Sequence, residues 1–202
     1  MRPRHHTKTK HRILEAALQQ FAHYGFSKVT MDEIAGDVGL GKASLYYYYR
    51  TKEQLFQAVM VHEHQEFMKG AENMLTQNVS CAEKIHMYVM QRFEYFNKLL
   101  HLNILDFRSS VKTTPGLRET FDGFALQELK LLHKIVREGK QRGEFKVTSV
   151  EKVSEALLHI MQGLRCRFLR AVQGPKIDPK QHQQFKQELN FVTEIFLRGI
   201  QT

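Results

Sequence analysis

The chain has 202 residues, 42% apolar and 25% charged, a balance that suits one large or two modest globular domains and is too apolar for disorder. Two cysteines exclude a multi-bridge disulfide framework and a four-thiolate zinc site, and no apolar run approaches the ~20 residues that cross a bilayer. Thirty Lys and Arg against 21 Asp and Glu give a net charge of +9, and residues 1–52 alone carry nine basic and four acidic side chains. That local excess points to a polyanionic partner near the N-terminus. Met-Arg-Pro-Arg-His-His-Thr-Lys leads into no apolar stretch, so a cytoplasmic location, without a membrane, is expected.

Apolar periodicity predicts helices over 10–24, 31–38, 42–49, 52–77, 81–101, 115–142, 149–172 and 179–200, with a short apolar piece near 102–108. Helix-start signals precede most of them: Thr30-x-x-Glu33, Thr51-x-x-Gln54, Ser80-x-x-Glu83, Thr114-Pro115, Thr148-x-x-Glu151 and Asp178-Pro179-x-Gln181. In each, a short side-chain oxygen is placed to accept an orphan helix N–H. Gly25, Gly39, Gly143 and Gly174 fall where the periodic segments end. No alternating pattern of strand length competes, so the fold class is all-α. Two short helices separated only by Gly39-Leu40-Gly41 mark a three-helix head over 1–50. The long helices that follow make a bundle-like body over 51–202.

Within the head, Ile13, Ala17 and Phe21, flanked by Leu14 and Leu18, give the first helix an apolar stripe, and Ile34, Ala35 and Val38 do so for the second. On the third, Leu45 and Tyr49 are four apart and face inward, leaving Lys42, Ala43, Ser44, Tyr46 and Tyr47 on the other faces. This is the pattern of a helix-turn-helix, whose second short helix enters the DNA major groove N-terminus first. Lys42 stands at a helix N-terminus, where its charge opposes the dipole, so its presence there calls for a functional reason. Phenolic hydroxyls at Tyr46 and Tyr47 can donate to phosphates or bases, Tyr49 belongs to the core, and Tyr48 is open between the two.

Residues 11–56 carry His-Arg-Ile-Leu-Glu-Ala-Ala-Leu, Phe-x-x-x-Gly-Phe, Thr-Met-Asp-Glu-Ile-Ala and Gly-Lys-Ala-Ser-Leu-Tyr-Tyr-Tyr-Tyr-Arg-Thr-Lys-Glu-Gln-Leu-Phe. This quarter of the chain resembles the DNA-binding domain of TetR/AcrR-type transcriptional regulators. Phe21, Gly25, Thr30, Ile34, Ala35, Leu45, Tyr46, Lys52 and Glu53 are in register, while Tyr48 departs from a position that is often His. The resemblance implies that Lys42, Ala43, Ser44 and Tyr46 face bases or adjacent backbone. Thr30, Tyr47, Tyr48 and Lys52 would clamp phosphates, with the Thr30 backbone N–H free for the purpose. The arm Arg2–Lys10 is expected to be disordered without DNA, either a plain solvated tail or a DNA-reaching arm.

In the body, Val153, Leu157, Ile160, Leu164 and Phe168 form one stripe, and Phe185, Leu189, Val192, Phe196 and Ile200 another, with Phe191 and Ile195 as a second flank. A terminal helix apolar on two sides needs two partners, which favours a homodimer through helices 149–172 and 179–200 over a single intrachain core. Gly163 is expected to permit a close helix crossing. The Met- and Phe-rich stretch 55–142 makes an ordinary core or, as the resemblance favours, a pocket for a small apolar or aromatic effector. Phe67, Met90, Phe93, Phe107 and Phe121 are the candidate lining residues, with Asn97, Asn103 or Arg108 supplying polarity.

His62-Glu63-His64 lacks the spacing of a zinc-protease motif, and a solvated helix face is the expectation. His86 and His159 are expected to be ordinary core or surface residues. Cys81, just after a helix N-cap, sits where the dipole lowers a thiol pKa. No phosphate loop, nucleophile elbow or paired carboxylates occur, so no enzyme, cofactor or metal is expected. The function that follows is a ligand-responsive repressor, binding a pseudo-palindromic double-stranded operator as a dimer and released by its effector. A helical small-molecule carrier or bundle enzyme without DNA binding is the alternative. A DNA-binding protein regulated by a partner protein is a second.

Overall fold

The structure, a computed structural model, describes residues 3–100, 116–171 and 178–201. Among these, eight α-helices follow in order: α1 Pro3–Tyr24, α2 Met31–Asp37, α3 Lys42–Tyr48, α4 Lys52–Asn73, α5 Cys81–Leu100, α6 Leu117–Gln141, α7 Val150–Ala171 and α8 Pro179–Ile200. A single 3-10 turn, Met74–Thr76, follows α4, and the only extended pairing among the described residues is the isolated Phe145–Gln201 bridge. The short piece near 102–108, Thr114-Pro115 and Gly174 lie outside the described residues.

The helix starts obey the side-chain chemistry expected of them. Thr30 and Glu33 bond reciprocally as a complete capping box, and Ser80 with Glu83 does the same. Asp178 accepts from the Lys180 N–H at 2.9 Å with Pro179 behind it. One start differs: Ser149, not Thr148, caps α7 by accepting from the Lys152 N–H at 3.2 Å. Gly25 ends α1 with φ 82°, a left-handed conformation that a side chain would strain.

The described residues form two compact units, one from 1–65 and 96–121, the other from 66–95 and 122–202. The first unit centres on Phe21, Phe26 and Phe56, whose ring centroids lie 5.0–5.7 Å apart, packed with Ile13, Ala17, Ile34, Leu45 and Leu55. Its first helix begins at Pro3, not near residue 10, so the described part of the expected arm, Pro3–Lys10, is helical. Proline tolerates a first helical position, and contacts farther along hold the added turns: the His6 ring lies 4.8 Å from Tyr48, and the Lys10 ammonium 6.0 Å from the Tyr49 ring.

The second unit packs Phe168 against Phe185 in a stacked pair 4.4 Å apart, with Phe93 5.8 Å from Phe185. The turn after α6 folds back because the Gly139 Cα leaves room: a Cβ there would lie 2.2 Å from the Phe145 ring. The buried line of α8 is Phe185, Leu189, Thr193, Leu197 and Ile200, while Val192 and Phe196 are half-buried. Thr193 enters an apolar line because its hydroxyl donates to the Leu189 carbonyl at 2.6 Å, leaving only its methyl to pack. Ser154 does the same on α7 through the Val150 carbonyl, so Val153, Ile160 and Leu164 sit at the margin of the buried face.

Candidate nucleic-acid interface

Seven residues of α3 are too few to fold alone, and two anchors hold the helix down: Leu45 is fully buried and Tyr49, its C-cap, is 6% exposed. Burial pushes the Tyr49 phenol up to about 12, and its hydroxyl meets no partner among the described residues, so the ring serves packing. Lys42, Ala43, Ser44, Tyr46 and Tyr47 are all exposed; Tyr47 at 78% is the most accessible large ring among the described residues. Tyr48 is half-buried between His6 and Tyr47.

A preceding turn positions this face. Leu40 N–H donates to the Ala35 carbonyl at 2.9 Å and Ser44 N–H to the Gly41 carbonyl at 2.9 Å, so α2 and α3 meet across Gly39 to Gly41. Arg12 of α1 donates to the Val38 carbonyl at 2.9 Å and fastens the same corner. The Lys42 ammonium reaches back to Asp32 of α2, Nζ to Oδ2 at 2.8 Å, in an exposed pair whose hydrogen bond and charge raise its pKa.

Two residues expected to clamp phosphates, Thr30 and Lys52, are engaged within the protein in this structure. The Thr30 backbone N–H donates to Glu33 Oε2 at 2.8 Å, and its hydroxyl donates to the same oxygen at 2.7 Å, so both donors are engaged in the helix cap. The Lys52 ammonium donates to the carbonyls of Phe26, Ser27 and Val29 at 2.8, 3.4 and 2.9 Å and stands 4.6 Å from the Phe26 ring centroid. Three N–H groups meet three carbonyls. Lys52 therefore ties the α1–α2 turn to the start of α4, a pairing across more than 20 residues that periodicity cannot reveal.

Phe67 is buried and stacks on Tyr95 at 4.9 Å, Phe93 is buried beside His182 and Phe185, and Met90 is half-buried. Phe121 belongs to the first unit, and Phe107, Asn103 and Arg108 lie outside the described residues. Asn97 is 7% exposed and neither polar atom of its amide meets a hydrogen-bond partner among the described residues. Open grooves on the described surface include one of about 410 Å³ in the first unit, flanked by Lys10, Gln57 and His62, and one of about 430 Å³ in the second, flanked by Met68, Lys130 and Arg137.

The histidine cluster is not a solvated face. Glu63 and His64 are 5% and 1% exposed, and Glu63 pairs with Lys98 at 2.5 Å, while the His62 ring lies 5.2 Å from His11. His159 is exposed and His86 half-buried. No group of three or more potential metal ligands occurs among the described residues. Cys81 also corrects the sequence reading: burial, then the charges of Glu138 and Glu144, push its thiol up to about 11. No described helix is long and apolar enough to cross a membrane.

Residues 13–59 match the family model of bacterial regulatory proteins of the tetR family, and residues 63–202 match that of the QacR-like protein C-terminal region. The HTH-type transcriptional regulator QacR of Staphylococcus aureus is 26% identical over 160 residues, 77% of this chain and 83% of its own. The fatty acid metabolism regulator protein of Bacillus subtilis is 23% identical over 138 residues, 66% of this chain and 69% of its own. A transcriptional regulator from Cytophaga hutchinsonii superposes with a TM-score of 0.87 at 35% identity, covering 94% of this chain and 97% of its own. With the exposed α3 face on a helix-turn-helix head and the bundle-like remainder matched end to end, the chain belongs to the TetR family, whose members are ligand-responsive, DNA-binding transcriptional regulators.

Proposed function

We propose that this protein acts in the cytoplasm as a homodimeric repressor, with residues 1–50 reading DNA and residues 51–202 carrying the dimer contact and the effector site. The observation that supports DNA reading most directly is the partition of α3: Leu45 and Tyr49 are in the core, while Lys42, Ala43, Ser44, Tyr46 and Tyr47 are exposed together. Lys42 supplies phosphate attraction at the helix end nearest the groove, and Ala43, Ser44 and Tyr46 lie where base edges are read.

Dimerisation through α7 and α8 is supported by what those helices leave uncovered. Phe191 and Ile195 are 63% and 55% exposed on the flank of α8 opposite its buried line. Gly163 of α7 has no neighbour within 4 Å of a built Cβ, so a second copy has room to approach there. A two-fold dimer presents two α3 helices to a pseudo-palindrome.

Release by effector is a population shift. Residues 52–65 of α4 belong to the first unit and 66–73 to the second, so this one helix is continuous in sequence between body and head and is the route by which an effector would act. An apolar or aromatic effector that favours the DNA-incompetent spacing by several kcal/mol empties the operator. One solved neighbour, a transcriptional regulator from Saccharomonospora viridis at 17% identity and TM-score 0.75, contains choline; that ligand is its own.

The test is selection of duplexes from a random pool by the purified protein, followed by affinity measurement against salt. An enriched inverted repeat bound with a steep salt dependence is expected. No enrichment, or binding indifferent to salt, sinks the DNA-reading function and revives the carrier alternative.

A further inference from the structure

The groove of about 430 Å³ between α4 and α6 lies wholly within the second unit. Met68 and Leu131 line it as buried apolar side chains, 7% and 2% exposed, and make its floor. Lys130, Lys134 and Arg137 line it from α6, and all three are exposed. A spacing of four and then three residues puts them on one helical face, spread over about 10 Å at ~1.5 Å per residue.

Like charges one turn apart on a helix repel. Elsewhere the chain sets opposite charges at that spacing: Glu66 with Lys69, Glu194 with Arg198 and, on α6 itself, Glu138 with Arg142. The side chains of Lys130, Lys134 and Arg137 make no ion pair among the described residues. Glu72, on the α4 side, is the carboxylate among the lining residues, and it pairs with none of them. The Glu151 carboxyl at the start of α7 is held below its usual range first by its own backbone N–H and then by the Ser149 hydroxyl, and only last by His133 and Arg137. His133, half-buried, also lines the groove, and its Nε2 meets no partner among the described residues. Repulsion kept beside an apolar floor, with a ring nitrogen unbonded, is a local conflict that no described neighbour resolves.

We propose that this groove docks an acidic segment of a partner protein, with an apolar side chain on Met68 and Leu131 and carboxylates on Lys130, Lys134 and Arg137. Charge complementarity selects the sign of the occupant, and the floor selects its kind. A DNA duplex offers phosphates and sugars on its outer surface and leaves the floor unused. A peptide supplies both chemistries within the three or four extended residues that cover about 10 Å. Leu126, 52% exposed and one turn before Lys130, prolongs the apolar contact along the same helix face. The thioether of Met68 adapts its shape to the side chain it receives. None of these residues belongs to the α3 face or to the Phe191 and Ile195 flank, so the groove adds a protein partner to the DNA and the second copy.

The experiment selects binders of the full chain from a phage-displayed library of random peptides about 12 residues long, which outreach the groove. Enrichment of sequences that join Asp or Glu to Leu, Phe or Met is expected, and a synthetic copy of the leading sequence is then titrated by calorimetry. Lys134→Gln with Arg137→Gln is expected to weaken that peptide roughly tenfold, the scale of two exposed ion pairs. Lys146→Gln with Lys180→Gln removes the same charge from exposed positions outside the groove and is expected to leave the affinity unchanged. No enrichment of acidic sequences overturns the proposal, as does undiminished affinity in the groove variant. Equal losses in the two double variants also overturn it, by reducing the binding to net charge. Duplex binding that falls more in the groove variant than in the control would assign the face to nucleic acid. A changed sedimentation coefficient in the groove variant would assign it to a second copy, and either result overturns the partner-protein reading.

Discussion

Lys42 and Asp32 bridge the two short helices of the head, with the ammonium 2.8 Å from the carboxylate on an exposed face. The pair sets the cation at the N-terminus of α3 and at the same time partly neutralises it. Phosphate and Asp32 therefore compete for one ammonium. Lys42→Ala is expected to lower operator affinity severalfold and to flatten the slope of log K against log salt by about one. Asp32→Asn removes the competitor and is expected to raise affinity for any duplex at low salt. Titrations across a salt series check both, and an unchanged slope for Lys42→Ala would remove the phosphate role.

Lys52 makes a different kind of contact. Its three hydrogen bonds to the Phe26, Ser27 and Val29 carbonyls are charge-assisted, and those to Phe26 and Val29 are part-buried. Lys52→Met is expected to destabilise the head by about 2 kcal/mol, the scale of a hydrogen bond to a charged group. Urea unfolding measures this. A Lys52→Met protein of unaltered stability but weakened DNA binding would restore the phosphate-clamp role.

Acid should loosen the helix starts. Glu33 and Glu83 are held below the ordinary 4.5 by hydrogen bonds from Thr30 and Ser80, and Glu138 is lowered first by its bond from Lys84 and then by one from Arg142. A depressed folded-state pKa means that the stabilisation is complete above 4.5 and is lost as pH falls through the folded values. Unfolding midpoints are expected to be flat near neutrality and to drop below about pH 4.5. Glu33→Gln and Glu83→Gln together should shrink that drop, as melts at stepped pH would register.

The uncovered flank of α8 predicts an assembly defect. Phe191→Glu with Ile195→Glu places charges on exposed positions, so helicity should persist while the dimer dissociates. Sedimentation should then report a monomer, and operator affinity should fall by orders of magnitude because two half-sites no longer bind together. A stable dimer in the double variant would locate the interface elsewhere.

Tyr46 and Tyr47 are exposed, so truncation tests contact without a folding cost. Tyr46→Ala is expected to weaken the operator complex more than non-specific binding. Equal losses on both would assign Tyr46 to the backbone.

Local chemistry was enough to read most of the scaffold. Caps such as Thr30 with Glu33 and Ser80 with Glu83 act within one turn, and so does the i, i+4 placing of Leu45 and Tyr49, so each is written in neighbouring letters. Tertiary packing alone chose among like residues. It set Lys52 on distant carbonyls and left Lys42 outward, drew Glu63 and His64 inside, admitted Thr193 to an apolar line, and joined Arg92 to Glu128 across 36 positions. A charged side chain such as Glu63 or Arg92 is buried here beside a partner within about 3 Å, and that distance depends on the approach of two helices, which no one-dimensional periodicity encodes.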